Sequence, residues 1–353
     1  MKIGILTLPL HTNIGGILQA YALQTITERL GFSVAMFSPK SSFLSIAKKQ
    51  IRKMIDFIKG VKKTRDQIDC ENFVKTNFHN WFYFKEKNDG RLQEFNAVIV
   101  GSDQVWRSWG KRWNLNRYFL DFIHNPSIKK YAYAASFGFD KWHYSQSTTE
   151  QLKRFAKKFT KVSVRENDGI ALCKNNLEVD AEWVLDPTML LEKKDYETLV
   201  QFRNPENLGL VCYFIGENDN NKAFLQKALV TAACFFEDKW ILAKPKAYSM
   251  QNVDMPTIEN WLYNMLNASF VITNSFHGVA FSINFEKDFI VLPHESGGLS
   301  RIKSILSMFG LEDRLANTCD EISNLINKKI DWETVSRIKT FQRNKSLDFL
   351  KNL

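Results

Sequence analysis

Short apolar runs bounded by turn residues alternate with stretches whose apolar positions recur three and four apart. Residues 3–8 read as a first strand. Residues 11–16 form a polar loop, after which Ile17, Leu18, Tyr21, Ala22, Leu23, Ile26 and Leu30 follow at helical spacing until Gly31. Residues 32–37 read as the next strand, so the chain opens as strand, glycine-containing loop, helix, strand. Further strands are expected at 95–100, 131–138, 161–167 and 183–188, where Pro187 forces a turn. The stretch 66–91 is polar and aromatic and reads as helix and loop. A second set of strands is expected at 209–215, 240–243, 270–273 and 288–293. Helical patterns cover 223–235, 258–266, 302–309, 322–326 and 332–353. This alternation predicts an α/β chain in two halves, 1–185 and 186–335, with a closing helix over 336–353.

Length and composition narrow the picture. The chain has 353 residues, 44% of them hydrophobic, which is enough for two cores. A net charge of +10 favours anionic partners, but the basic residues follow no nucleic-acid recognition motif, so no nucleic-acid partner is expected. The five cysteines are scattered with no zinc or disulfide spacing, which fits a reducing cytoplasm. The opening run resembles no secretory signal, and no apolar run approaches the ~18 residues of a membrane span. Between Lys48 and Arg65 basic residues interleave with Ile51, Met54, Ile55, Phe57, Ile58 and Val61. That pattern fits either an amphipathic helix touching anionic lipid at the inner face of the membrane or a solvated basic face.

The chemistry-bearing positions fall after the expected strands, at 12–16, 101–106, 136–138, 165–166, 274–278 and 294–301. In a doubly wound fold such loops face one crevice. His277 follows a buried strand and precedes a helical start, where an imidazole can exchange protons near neutral pH; it reads either as a catalytic acid or as a buried structural histidine. His294 is a second, looser candidate. Asp103 is placed to accept a hydroxyl proton or to cap a helix. Trp106 and Trp109 offer sugar-stacking faces or core. Arg165 and Arg301 suit a carboxylate or phosphate. Asn13, Gly15 and Gly16 open a helix whose backbone N–H groups could cradle an anion, or Asn13 could be a simple N-cap. No dinucleotide fingerprint, phosphate loop or metal-ligand cluster is present in the sequence.

Taken together, several of these runs resemble the polysaccharide pyruvyl transferase family. They are 13–24, the Val100-Gly101-Ser102-Asp103-Gln104-Val105-Trp106 run, 133–138, Ser163-Val164-Arg165-Glu166, Leu185-Asp186-Pro187-Thr188, Thr273-Asn274-Ser275-Phe276-His277-Gly278 and 300–315. The resemblance implies a GT-B-like fold: two Rossmann-like domains facing a cleft, the acceptor on the N-terminal side and the donor on the C-terminal side. The last helix would cross back to the first domain. It implies transfer of pyruvate from phosphoenolpyruvate, as a ketal, to a sugar of a bacterial surface polysaccharide or its lipid-linked precursor, with no cofactor. His277 and Arg165 match the family's histidine and arginine. Many members carry Arg-Leu-His where this chain has Ser275-Phe276-His277, which leaves Arg301 to supply a charge at the donor. The expected site is then His277 and Asp103 as catalytic groups, with Arg165, Arg301, Asn13, Gly15, Ser275 and Trp106 binding substrate and no metal. The competing readings are a GT-B glycosyltransferase with a nucleotide-sugar donor and a non-catalytic binder.

Overall fold

The computed structural model describes residues 1–40, 65–85, 89–110, 113–200, 207–215, 219–236, 240–243, 257–293 and 298–353. Two sheets organise them. The first holds β1 (Lys2–Leu6), β2 (Ser33–Pro39), β3 (Trp81–Phe84), β4 (Ala97–Asp103), β5 (Lys129–Ala135), β6 (Lys161–Val164) and β7 (Glu182–Trp183), in the order β3-β2-β1-β4-β5-β6-β7. The second holds β8 (Leu210–Tyr213), β9 (Trp240–Ala243), β10 (Phe270–Thr273) and β11 (Asp288–Val291), in the order β11-β10-β8-β9. Every pairing is parallel. Strand order reverses between β1 and β4 in one sheet and between β8 and β10 in the other. Connections diverge there, and a crevice opens beyond the carboxyl ends of the strands.

The helices of the first half are α1 (Ile14–Arg29), α2 (Arg65–Asn77), α3 (Gln146–Ala156) and α4 (Asp168–Leu172). After β7 come α5 (Lys193–Glu197), α6 (Asp219–Ala233), α7 (Ile258–Asn267), α8 (Phe276–Asn284), α9 (Leu299–Phe309), α10 (Cys319–Ile326) and α11 (Trp332–Lys351). Their ends carry ordinary stop and start signals. Asn13 caps α1, Gly310 closes α9 with φ 65°, and Thr318 and Glu321 form a reciprocal capping box on α10.

Three apolar clusters fill the molecule. One covers the outer face of the first sheet around Trp106, Phe119 and Phe137, and a smaller one covers the outer face of the second around Leu225, Ile272 and Ile290. The third is shared. It joins Ile17 and Leu23 of α1 to Tyr196, Trp261, Phe281 and Phe349, so both sheets pack onto one middle layer. Each fully buried aliphatic or aromatic side chain there contributes about 1.5–3 kcal/mol. The last helix straps the halves together. Near its start the Trp332 indole donates to Asp288 (3.2 Å), and Arg343 Nε donates to the Leu190 carbonyl (2.8 Å). Near its end Ser346 accepts the Leu185 N–H (2.9 Å), and Phe349 packs beside Tyr133. The fold is GT-B-like, two Rossmann-like units facing a cleft, with the C-terminal helix returning to the first.

Two local expectations differ from what forms. Trp81–Phe84 is an edge strand that pairs with β2, although it sits in a stretch read as helix and loop. Its four consecutive aromatics carry no alternation to reveal it. Residues 186–188 do not extend a strand: Asp186 accepts the Thr188 N–H (3.0 Å), and Pro187 starts a 3-10 turn. Residues 48–64 of the basic segment lie outside the described residues. Among the described residues no helix is long and apolar enough to cross a membrane.

Candidate active site

The floor of the cleft is built where β4, β6 and β7 end. At Gly101 the backbone has φ 130°, and a Cβ there would meet the Tyr133 carbonyl at 2.0 Å, so only glycine fits. Two residues later Asp103 takes φ 68°, a left-handed conformation that aspartate tolerates. This bend aims its carboxylate at Arg165, which follows β6. The guanidinium is a hub. Nε donates to Glu166 (2.9 Å), Nη1 to Asp186 (2.9 Å) and Nη2 to Asp103 (3.3 Å). The Phe276 ring covers it at 4.1 Å from the centroid. Burial opposes the charge, but Glu166, Asp103 and Asp186 outweigh it and raise the Arg165 pKa. Asp186 is equally enclosed. Its Oδ1 accepts from the Thr188 amide and hydroxyl (3.0 and 2.8 Å), and its Oδ2 accepts from Ser102 Oγ (3.2 Å) as well as Arg165. Burial would push its pKa up, but His277, Arg165 and the Thr188 amide hold it below the usual carboxylate range. Gln19 of α1 braces the same floor, donating to Thr7 (2.9 Å) and accepting the Ser102 N–H (3.0 Å).

The opposite wall comes from β10, α8 and α9. His277 lies in the first turn of α8 and is buried across the interface. Its ring rests on Gly15 of α1: a Cβ at Gly15 would fall 2.1 Å from Nδ1. Glycine at that position is what lets the two domains meet through an imidazole. The opposite nitrogen, Nε2, has no hydrogen-bond partner and lies 3.9 Å from Asp186 Oδ2. Burial lowers the His277 pKa. Asp186 and Asp103 oppose that effect, and Arg165 and Arg301 add to it. Arg301, in the first turn of α9, is the other exception to saturation. Its Nε is buried without a partner, and burial together with Arg165 pushes its pKa down to about 10. Gly298, the residue before α9, supplies no side-chain cap, and one Arg301 Nη lies so close that a Cβ there would meet it at 2.8 Å.

The structure therefore brings Asp103, Arg165, Gly15, His277 and Arg301 to one place, whereas Trp106 stands apart. Trp106 is fully buried: its indole donates to the Tyr118 carbonyl (2.9 Å) and stacks on Phe119, leaving no face for a sugar. Trp109, half exposed, has one face covered by Arg107. Ser275 precedes α8 and is buried, and its backbone N–H donates to Thr273 Oγ1 (3.1 Å). Asn13 is an exposed N-cap that accepts the Gly16 N–H (3.1 Å). Arg165 is also not the open anion hook expected of it, because all three of its nitrogens meet protein carboxylates. Asp103 ends a strand and caps no helix. His294 lies outside the described residues. Sequence reasoning missed Asp186 as a site residue. It stood in plain view before Pro187, but a turn explained it. Among the described residues no group of histidine, cysteine and carboxylate side chains could hold a metal ion.

Comparison with known proteins agrees with this architecture. The chain is similar in structure to UGT89C1 of Arabidopsis thaliana in complex with UDP, with TM-score 0.53 and 11% identity over 100% of this chain and 99% of that one. It is also similar to the UDP-GlcNAc 2-epimerase of Methanocaldococcus jannaschii, with TM-score 0.51 and 12% identity over 97% and 99% of the two chains. At such identities the likeness concerns the fold alone. No curated protein matches the chain. The family model described as polysaccharide pyruvyl transferase matches residues 13–296, which include every described group of the cleft except Arg301. The chain belongs to the polysaccharide pyruvyl transferase family.

Proposed function

We propose that the protein transfers the pyruvyl group of phosphoenolpyruvate to two hydroxyls of a saccharide, forming a ketal and releasing phosphate. The observation that carries this reading is the pairing, among the described residues of the cleft, of two buried nitrogens without partners, His277 Nε2 and Arg301 Nε. A buried guanidinium N–H without a partner is costly unless a ligand completes it. Phosphoenolpyruvate brings a carboxylate and a phosphate, and Arg301 is suited to bind either. The donor sits on the second-domain side and the saccharide on the first-domain side, beside Asp103.

The donor's negative charge beside His277 favours the imidazolium that burial otherwise suppresses. His277 then protonates the methylene carbon, and C2 gains oxocarbenium character. One sugar hydroxyl adds to C2, giving its proton to Asp103, and the C2–O bond to phosphate breaks. The second hydroxyl closes the ketal. Of the two protons lost by the hydroxyls, one replaces that used on the methyl group and one leaves with phosphate, so no redox partner or water is consumed. Arg165 acts at one remove, holding Asp103 and Asp186 in place. The acceptor is a unit of a bacterial surface polysaccharide or its lipid-linked precursor, met in the cytoplasm or at the inner face of the membrane.

The test is phosphate release from phosphoenolpyruvate with a panel of saccharide acceptors. The expected result is acceptor-dependent release that His277→Gln abolishes without loss of the folded state. Near-normal release in that variant would remove His277 from the reaction. Turnover of a nucleotide sugar with no response to phosphoenolpyruvate would replace the reading with glycosyl transfer.

A further inference from the structure

All four acceptor positions of the Asp186 carboxylate are spoken for. Thr188 occupies Oδ1 twice, and Arg165 and Ser102 occupy Oδ2. Oδ2, already carrying two hydrogen bonds, lies 3.9 Å from His277 Nε2, across the interface between the domains. That distance is too long for a hydrogen bond and short enough for a strong attraction between charges in a water-poor site. The other side of the ring, at Nδ1, rests on Gly15 in the first turn of α1, a helix with no acidic residue there. The positive end of a helix disfavours a proton beside it. The first turn of α8, which carries His277 itself, also has no acidic residue. The remaining charges felt by the ring are Asp103 at the end of β4, Arg165 after β6 and Arg301 on α9. The carboxylate thus lies at one nitrogen and a helix end at the other.

We infer that Asp186 is a positioning residue for His277, drawing the imidazole's proton to Nε2 without bonding to it and so keeping the ring able to take up a second proton. Because the carboxylate stops short of a hydrogen bond, the Nε2 proton stays unspent for the substrate. The same carboxylate is anchored in the first domain, so its distance to Nε2 also depends on how closely the domains meet. The catalytic consequence rests on the proposed pyruvyl transfer; the physical coupling does not, and it can be measured with no ligand present.

The experiment is a pH titration of the ligand-free full chain labelled with 15N-histidine, following the ring nitrogens by NMR. Of the six histidines, His277 is assigned by the signal missing in His277→Gln. In the wild-type protein the neutral ring should carry its proton on Nε2; a dominant Nδ1–H tautomer overturns the inference, and this reading needs no Asp186 variant to fold. In Asp186→Asn the titration midpoint of His277 should fall by about one pH unit or more, the usual effect of losing an opposite charge at this range. Asp186→Glu, which keeps the charge, should restore much of it. An unchanged midpoint in a folded Asp186→Asn protein would reduce Asp186 to a structural residue. If phosphoenolpyruvate turnover is present, Asp186→Asn should also move its pH optimum downward, whereas simple misfolding lowers activity at every pH.

Discussion

The two walls of the cleft are built on opposite principles. On the first-domain wall the described charged and amide groups are matched: Arg165 meets three carboxylates, Asp186 accepts four hydrogen bonds, and Gln19 ties β1, α1 and β4 together. On the second-domain wall His277 Nε2 and Arg301 Nε are buried and unmatched. A matched buried network rigidifies and specifies one arrangement, while an unmatched group stores desolvation cost that a ligand can relieve. The contrast separates scaffold from reactive surface, and substitutions on the two walls should fail in different ways.

The largest effect is expected on the reactive wall. His277→Gln should lower phosphate release by about 10²–10⁴-fold, the range of a positioned acid, while thermal unfolding stays near that of the wild type. On the matched wall Arg165→Met should show the reverse. Removing one partner of a buried charge cluster costs about 3–5 kcal/mol, so the thermal midpoint should drop sharply, with activity lost through unfolding. A stable but inactive Arg165→Met protein would break the comparison by giving Arg165 a direct role at the substrate.

Smaller effects sharpen it. Arg301→Gln should weaken phosphoenolpyruvate binding about 10–100-fold, corresponding to a charged hydrogen bond of about 1.5–3 kcal/mol, with little change in unfolding. Gly15→Ala tests the point where the walls touch. Its methyl group would displace the His277 ring, since a Cβ there falls 2.1 Å from Nδ1. Turnover should fall while phosphoenolpyruvate affinity changes less; unaltered turnover would mean that the ring need not rest on α1. Finally, because burial lowers the His277 pKa and the donor's negative charge opposes that, donor binding should take up a proton. Affinity should therefore rise as pH falls towards the lowered pKa of the free ring, by at most about tenfold per pH unit, and His277→Gln should lose that slope. Calorimetry in buffers of different ionisation enthalpy measures the uptake directly.

Much of this was legible in the sequence. Buried parallel strands such as Phe270–Thr273 are short apolar runs, and their ends mark the loops of the cleft, so His277, Asp103, Arg165 and Arg301 could be located before any fold was known. What could not be read was pairing. Arg165 looked like a free cation because its partners, Asp103 and Asp186, lie 62 and 21 residues away. Trp106 looked like a sugar platform because burial of an indole depends on Phe119 and Phe137, which only the fold brings beside it. Asp186 was hidden by its own local role, since an aspartate before Pro187 is fully accounted for as a turn. Gly15 carried no signal beyond a glycine at a helix start; its meaning lies in the ring of the other domain.

The account turns on the claim that the unmatched second-domain wall is the donor's anion site. The most direct measurement is calorimetric titration of the wild-type and Arg301→Gln proteins with phosphoenolpyruvate, with UDP- and GDP-sugars as controls. The account predicts saturable phosphoenolpyruvate binding that Arg301→Gln weakens about 10–100-fold, with no comparable binding of the nucleotide sugars. Equal affinity in the two proteins, or binding of a nucleotide sugar alone, would contradict it.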